Sequence, residues 1–380
     1  MKSNSKTKSK IPVIISVILS IITMLTAASR PASGAVGKAA LFCAGIALPE
    51  GGVALVRRAA DRSPGETENR TADTNRFFSL TGVVQTKKLS STDDLVYTPA
   101  DIAALIKKAQ TAFAGQKKDG LIEEMTYGIK NASSVYKNVT VKNATATKSL
   151  NIEKVLKEPL KLAIKDKTKP AVLIIHTHTT EGFEMLERGW YARDYSSRTA
   201  DSAKNIARVG TEVADQLTKA GFAVIHDKTV YDTTYRGAYE RSRNSIQKYL
   251  KKYPELQVVL DIHRDAIQYT DGRRIKPVSV VNGKKAAQIM IATGAEEKTV
   301  KNFPNWEHNL RFALKLQQQC ETVFPGLMRP VLFCTKKYNL DLTRCSLLLE
   351  MGSDANTLDE AAYSGRMLGF ALARLLEDYT

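Results

Sequence analysis

The sequence predicts an α/β fold: a twisted, mainly parallel or mixed sheet of about six strands with helices on both faces. Two observations predict it. Between residues 169 and 380, short apolar runs of strand length recur, and amphipathic stretches of helical length lie between them. Strands that alternate with helices in this way build a sheet that is covered on both faces. A membrane anchor and a small N-terminal region precede this domain.

The elements of residues 169–380 follow from the apolar pattern. The predicted strands are residues 171–175, 222–225, 258–262, 289–293, 331–334 and 347–349. The predicted helices are residues 201–220, 235–253, 302–323 and 358–377. Asp201 or Ser202 favours the start of the first helix, and Gly221 favours its C-terminal cap.

The first 76 residues indicate attachment to a membrane. Residues 1–10 carry four lysines and no acid, and residues 11–28 form an apolar run near the lower length limit for crossing a bilayer. We expect a cytoplasmic tail followed by a transmembrane signal anchor; a cleaved signal peptide is the alternative. Residues 29–76 are predicted to be a membrane-proximal segment and linker. Either alternative places the rest of the chain outside the cytoplasm.

Residues 77–168 are predicted to form a small N-terminal region before the catalytic domain at 169–380. A helix is expected at residues 99–109, with Thr98 as its cap. Residues 135–143 alternate apolar and polar side chains, which is typical of an exposed strand.

The charge of the chain favours anionic partners. The 380 residues include 56 Lys and Arg against 39 Asp and Glu, a formal net charge of +17. Membrane surfaces, nucleic acid and anionic polymers all suit this balance. The sequence lacks a basic patch with interleaved aromatic residues, zinc-finger spacing and a basic zipper, which argues against nucleic acid.

The four cysteines match no zinc-finger or redox spacing. We expect them to be small apolar core residues. A disulfide between two of Cys320, Cys334 and Cys345 is the alternative.

Reactive side chains gather at the ends of three predicted strands. They are His176, His178 and Glu181 in PAVLIIHTHTTE (170–181), Asp261, His263 and Arg264 in VVLDIHRDA (258–266), and Glu350 after the last run. Ligands collect at the carboxyl ends of strands in open α/β sheets. Ionised groups that close a buried strand are costly unless they are paired or coordinated. Each residue alone also has a structural explanation, such as a plain ion pair of Asp261 with Arg264.

Two imidazoles and a carboxylate suit a catalytic zinc ion, which takes three protein ligands and keeps a position for water. We expect His178 and His263 as imidazole ligands, Glu181 as third ligand with Glu184 and Asp201 as alternatives, and Glu350 as general base. His176 and His178 face the same side of a continuing strand, so direction does not decide between them. His178 is preferred because it is nearer the loop. His176, Asp261 and Arg264 are expected to support the site.

Four ordered motifs resemble those of the stage II sporulation protein P family. They are HTHTTE (176–181), YERS (239–242), DIHRDA (261–266) and LEMGSDAN (349–356). The resemblance covers about residues 169–380, extends more weakly back to about residue 135, and includes the N-terminal anchor. This family belongs to the zinc-dependent N-acetylmuramoyl-L-alanine amidases of endospore-forming bacteria.

The resemblance implies a hydrolase of peptidoglycan. It implies cleavage of the amide between N-acetylmuramic acid and the L-alanine of the stem peptide, and also of peptide cross-links. By likeness, His178 and His263 bind Zn²⁺ and Glu350 is the catalytic glutamate. The wider amidase family has Gly-His-Gly-Gly at its first ligand and takes its acidic ligand further along, so the resemblance does not assign Glu181.

The resemblance also implies partners and a location. The partners are stage II sporulation proteins D and M, and the location is the septal or engulfing membrane of the mother cell, with the catalytic domain outside the cytoplasm. The alternatives are a catalytically inactive, wall-binding scaffold of an engulfment complex and a metal-dependent esterase or deacetylase of the envelope.

Overall fold

The computed structural model describes residues 91–146, 150–297 and 299–380. The tail, the anchor and the linker predicted for residues 1–10, 11–28 and 29–76 lie outside these residues. Within the described ranges, no helix has the length and apolar character needed to span a bilayer.

A mixed sheet of eight strands forms the centre of the described chain. Across the sheet the strands are β2 (Ser134–Tyr136), β3 (Val139–Asn143), β11 (Val331–Cys334), β10 (Ile289–Gly294), β12 (Cys345–Ser353), β7 (Val258–Asp265), β4 (Val172–Ile175) and β6 (Val224–His226). Strands β12, β7, β4 and β6 are parallel, and β10 runs antiparallel to β12. The α/β class and all six predicted strands are confirmed. The carboxyl ends of the four parallel strands β12, β7, β4 and β6 meet where the reactive residues were expected.

The predicted strand number was too low because a hairpin from the N-terminal region joins the sheet. Residues 135–143 are not one exposed strand: the chain turns at Lys137, whose φ is 53°, and β3 then pairs with β11. Val139 and Val141 are fully buried as a result. The region predicted at 77–168 therefore supplies part of the central sheet.

A second sheet of four strands was not predicted. Its order is β5 (Trp190–Tyr191), β1 (Gly120–Met125), β8 (Arg274–Val281) and β9 (Lys284–Ala287). Lys276 of β8 is 2% exposed, and its Nζ lies 2.7 Å from a carboxylate oxygen of Glu360. This buried ion pair joins the second sheet to the last helix of the chain.

Helices cover both faces of the central sheet, as predicted. In the described ranges the α-helices are α1 (Ala100–Ala112), α2 (Ile152–Lys157), α3 (Ile206–Lys219), α4 (Ala238–Lys252), α5 (Trp306–Val323) and α6 (Leu358–Glu377). Helices α3, α5 and α6 share the larger core, while Ile246 of α4 packs against Leu173 and Val259 on the other face. Helices α3 and α6 approach closely because α6 has glycine at the contact. A Cβ on Gly369 would lie 2.7 Å from the carbonyl oxygen of Val213.

Two predicted caps were wrong and one was right. Helix α3 begins after Asn205, whose side chain accepts a hydrogen bond from the Ala207 backbone, rather than after Asp201 or Ser202. Thr98 does not cap α1, because its hydroxyl donates to Asp359. Gly221 follows α3 with a φ of 88°, as expected of a residue after a helix.

The described cysteines confirm the prediction of core residues. Cys320, Cys334 and Cys345 are buried and free. Burial raises the pKa of Cys334 to about 11 and that of Cys345 to about 12. These thiols therefore stay protonated at neutral pH.

Arg366 of α6 ties the first described residues to the core. Its fully buried guanidinium donates to the carbonyl oxygens of Leu95 and Tyr97 and lies 3.2 Å from Glu212 of α3. Arg208 of α3 also pairs with Glu212, at 2.8 Å. The chain before α1 is thus held between the two long helices.

We expect Arg366→Ala to lower the free energy of unfolding by about 3–5 kcal/mol, because it leaves Glu212 and two carbonyl groups buried without this partner. Urea unfolding followed by circular dichroism measures the change. Arg374→Ala on the exposed side of the same helix is the control and should stay within about 0.5 kcal/mol of the parent. Equal stability of both variants would show that the contacts of Arg366 with Leu95, Tyr97 and Glu212, here called the Arg366 clamp, do not stabilise the fold.

Candidate functional site

His263 lies near the carboxyl end of β7 between two buried carboxylates. Asp261 Oδ1 is 2.9 Å from its Nε2, and Glu181 Oε2 is 3.3 Å from its Nδ1. All three residues are at most 2% exposed. Burial lowers the pKa of His263, but Asp261 and Glu181 together raise it well above its usual value.

Glu181 is fixed by the loop after β4. The Arg264 backbone amide donates to Oε2 at 3.1 Å, and the Arg198 guanidinium lies 3.4 Å from Oε1. Burial raises the pKa of Glu181, but His263 and the arginines lower it well below its usual value. Arg264 Nε also donates to the Gly182 carbonyl at 3.0 Å. Arg264 therefore holds the loop through both its backbone amide and its side chain.

Asp261 positions His263 from the opposite side. It accepts hydrogen bonds from the Thr177 backbone amide at 2.8 Å and from the Thr177 hydroxyl at 2.6 Å. Because Asp261 contacts Nε2, the Nδ1 atom of His263 faces Glu181. Strand β7 therefore supplies both the imidazole and the carboxylate that orients it.

His178 stands beside this pair with aromatic neighbours. Its ring stacks on Tyr235 at 4.7 Å between centroids and meets Tyr239 edge-on at 5.5 Å. The centroid of the His263 ring is 5.3 Å away. His178 Nδ1 lies 4.0 Å from Asp232 Oδ2. The structure thus brings His178 to His263 and excludes solvent from it, since His178 is 1% exposed.

Glu350 reaches the same place from β12. It is paired in register with His263 of the parallel strand β7. Register partners on adjacent strands point to the same face of a sheet, so their side chains are neighbours. Glu350 is 7% exposed. A carboxylate therefore lies beside the His263 imidazole.

His176 points away from the other site residues, contrary to the expectation that it faces the same side as His178. Strand β4 ends at Ile175, so the alternation of a strand no longer applies. His176 Nδ1 donates to the Ile262 carbonyl at 2.8 Å, and its Nε2 lies 2.9 Å from His226 Nε2, next to Gly210 of α3. Burial lowers the pKa of His176 to about 4, so it is neutral and supports β7 just before His263.

The two alternative acidic ligands lie elsewhere. Glu184 is buried, but its carboxylate pairs with Arg188 at 3.1 Å. Asp201 is exposed and pairs with Lys204 at 2.7 Å. Of the three candidate acidic ligands, Glu181 is the one that the structure brings to His263.

The sequence did not predict the site residues that come from loops, namely Arg198, Asp232 and Tyr235. Arg198 lies between Glu181 and Asp232, with its Nη1 3.0 Å from Asp232 Oδ2. Asp232 also accepts from the Thr180 backbone amide at 3.1 Å. Asp232 and Tyr235 follow β6 with no apolar pattern of their own. Only the YERS motif at 239–242 drew attention to this part of the chain.

The imidazoles and carboxylates of the site are the types of ligand that bind zinc. The spacing between Glu181 and His263 also fits a shared zinc ion. Ligand atoms that share a tetrahedral zinc ion at about 2.0–2.1 Å lie about 3.3 Å apart. This is the separation of Glu181 Oε2 and His263 Nδ1. The carboxylate of Asp261 on the other ring nitrogen matches the outer partner that zinc-bound histidines have. His178 stands further off, and among the residues described no three such side chains are close enough to hold an ion as they stand.

The fold and the site define a mixed α/β protein with an acid and imidazole cluster at its strand ends. A model of the stage II sporulation protein P family matches residues 98–373, and the chain belongs to this family. Stage II sporulation protein P of Bacillus subtilis (strain 168) is 30% identical over 216 residues, which are 54% of this chain and 50% of that protein. The chain thus spans about half the length of that curated relative.

Solved structures give a weaker likeness. The CwlD amidase from Clostridioides difficile, solved with the GerS lipoprotein, is 12% identical with a TM-score of 0.36 and covers 55% of this chain and 98% of its own. The N-acetylmuramyl-L-alanine amidase Ami1 from Mycobacterium abscessus is 14% identical with a TM-score of 0.31. The match covers 56% of this chain and 98% of that protein. Scores this low establish nothing about the chemistry of this chain.

We expect Gly210→Ala to destabilise the protein by about 1–3 kcal/mol. The new Cβ would lie 2.6 Å from the His176 ring and 2.7 Å from His226 Nε2. In an ordinary helix the same change stabilises by up to about 1 kcal/mol, so the sign of the effect is the test.

Thermal unfolding measures this change against Gly128→Ala, whose Cβ would meet nothing within 4 Å. Stabilisation by Gly210→Ala would show that the two histidines do not pack against α3.

Proposed function

We propose that the protein is a zinc-dependent N-acetylmuramoyl-L-alanine amidase that hydrolyses peptidoglycan. The observation that carries this proposal is the contact of Glu181 with His263 at 3.3 Å, with the His178 ring and Glu350 beside it. Family membership supports the same conclusion. Cleavage of peptide cross-links is a second activity that this site would allow, since it also breaks an amide.

In this proposal His178, Glu181 and His263 hold the metal. A zinc ion bound there would lower the pKa of a water molecule and polarise the carbonyl of the substrate. Asp261 keeps Nδ1 of His263 directed at Glu181. Arg198 offsets the negative charge of Glu181. The residues around the ligands therefore fix both their direction and their charge.

Glu350 is the general base. Its carboxylate takes a proton from the attacking water as the water oxygen bonds to the lactyl carbonyl carbon. The same proton then passes to the nitrogen of L-alanine as the C–N bond breaks. The products are a free lactyl carboxylate on the sugar and a stem peptide with a free amino group. Burial of Glu350 keeps bulk water from competing for that proton.

We further propose where the enzyme works. The anchor predicted at residues 11–28 would hold it in the cell membrane, with the catalytic domain on the outer side at the septum during forespore engulfment. Stage II sporulation proteins D and M are the proposed partners. The net charge of +17 suits an anionic wall polymer.

Glu350→Gln should lower the rate of stem-peptide release by about 10²–10⁴-fold, because the amide cannot accept the proton. Digestion of purified peptidoglycan with product identification by mass spectrometry measures this loss. Glu307→Gln, an exposed glutamate, is the control and should release peptides at the parental rate. Unchanged digestion by Glu350→Gln would remove this residue from the mechanism.

His263→Ala should lose bound zinc, since it removes the imidazole that faces Glu181. Metal content after purification with zinc gives the stoichiometry independently of activity. His308→Ala, whose imidazole contacts Arg311 rather than the site, should keep the parental zinc content. One equivalent of zinc in His263→Ala would contradict the assignment.

A further inference from the structure

A basic pocket with aromatic walls adjoins the candidate metal ligands. Its volume is about 440 Å³, and it is lined by Tyr239, Arg243, Lys336, Lys337, Tyr338 and Asn339. The Tyr239 ring lies between this pocket and the ligands, 5.5 Å from the His178 ring and 6.3 Å from the His263 ring. A group bound in the pocket would therefore sit next to the reacting atoms.

The pocket carries excess positive charge. Arg243 binds Asp341 through both of its terminal nitrogens at 2.8 and 2.7 Å, and Lys337 lies 3.3 Å from the same carboxylate. Lys336 is exposed and forms no ion pair among the described residues. Three cations thus face one carboxylate, which leaves two positive charges.

The wall formed by Tyr338 and Asn339 is held in an uncommon conformation. Their φ values are 45° and 60°, in the left-handed region that non-glycine residues rarely adopt. Asn339 Nδ2 donates to the Tyr239 carbonyl at 2.8 Å and to Ser242 Oγ at 3.2 Å. The Tyr338 ring lies 5.7 Å from the Tyr239 ring. Such backbone strain persists where the surroundings enforce it, often at ligand sites.

Hydrogen bonds join this wall to the site. Ser242 Oγ, which accepts from Asn339, lies 2.7 Å from Thr177 Oγ1, and Thr177 donates to Asp261. Asp261 in turn holds His263. The pocket and the metal ligands therefore belong to one rigid assembly, as a substrate subsite requires.

We propose that this pocket binds the free carboxylates of the peptidoglycan stem peptide, with Lys336 as the main contact. The inference rests on the proposed amidase function. The stem peptide carries carboxylates close to the scissile bond, while the sugar beside that bond is uncharged. Two aromatic rings suit the aliphatic parts of the peptide, and the unpaired charge suits its acids.

Steady-state kinetics of the full chain on a soluble muropeptide test this proposal. Lys336→Ala should raise KM by about three- to tenfold with kcat little changed, because a positioning contact is lost and the chemistry is not. Lys336→Glu should raise KM further. Lys248→Ala, an exposed lysine at the far end of α4, is the control and should match the parent. A muropeptide with amidated carboxylates should show no difference between Lys336→Ala and the parent.

Binding of the free stem peptide, measured by calorimetry, separates this inference from the proposed function. Weaker binding to Lys336→Ala, with no peptide release by the parent, would support the pocket and overturn the amidase. Normal release with the same KM for parent and Lys336→Ala would overturn the pocket and keep the amidase. Equal affinity for free and amidated peptides would also overturn the pocket.

Discussion

Two buried carboxylates hold one imidazole, and the position of the strand ends depends on this contact. Asp261 belongs to β7 and Glu181 to the loop after β4, so His263 connects two neighbouring strands. A carboxylate without a partner at this depth costs several kcal/mol. Moving the loop after β4 away from β7 would therefore break the buried contact between Glu181 and His263. Arg264 adds to this constraint through its backbone and its side chain.

The central strands could be predicted because both of their faces are buried. Strands β4, β7 and β12 therefore contain runs of three or more consecutive apolar residues, which is typical of strands in sheets covered by helices. The second sheet could not be found this way. Strand β8 buries Arg274 and Lys276, whose ion-pair partners among the described residues, such as Asp354 and Glu360, are distant in sequence. Ion pairs between groups far apart in the chain leave no local pattern in the sequence from which a strand could be predicted.

In the candidate site too, some residues could be predicted from the sequence and others could not. His178, His263 and Glu350 follow apolar strands, and strand ends meet at one edge, so their proximity could be expected from the sequence. The direction of the His176 side chain depends on the residue at which β4 ends. Hydrophobicity does not predict the end of a strand to within one residue. Asp232 comes from a loop, and its place beside His178 results from tertiary packing.

The clamp made by Arg366 gives the fold a defined point of mechanical attachment. The chain enters the described unit at residues 95–97, which are bound to α6 and, through Glu212, to α3. Any pull on the preceding segment is therefore received by two packed helices on one face of the sheet. Helix α3 also contacts the candidate site, because the Ile206 backbone amide donates to the Glu181 carbonyl at 2.7 Å. Tension at residues 95–97 would therefore be transmitted through α3 to the loop that carries Glu181.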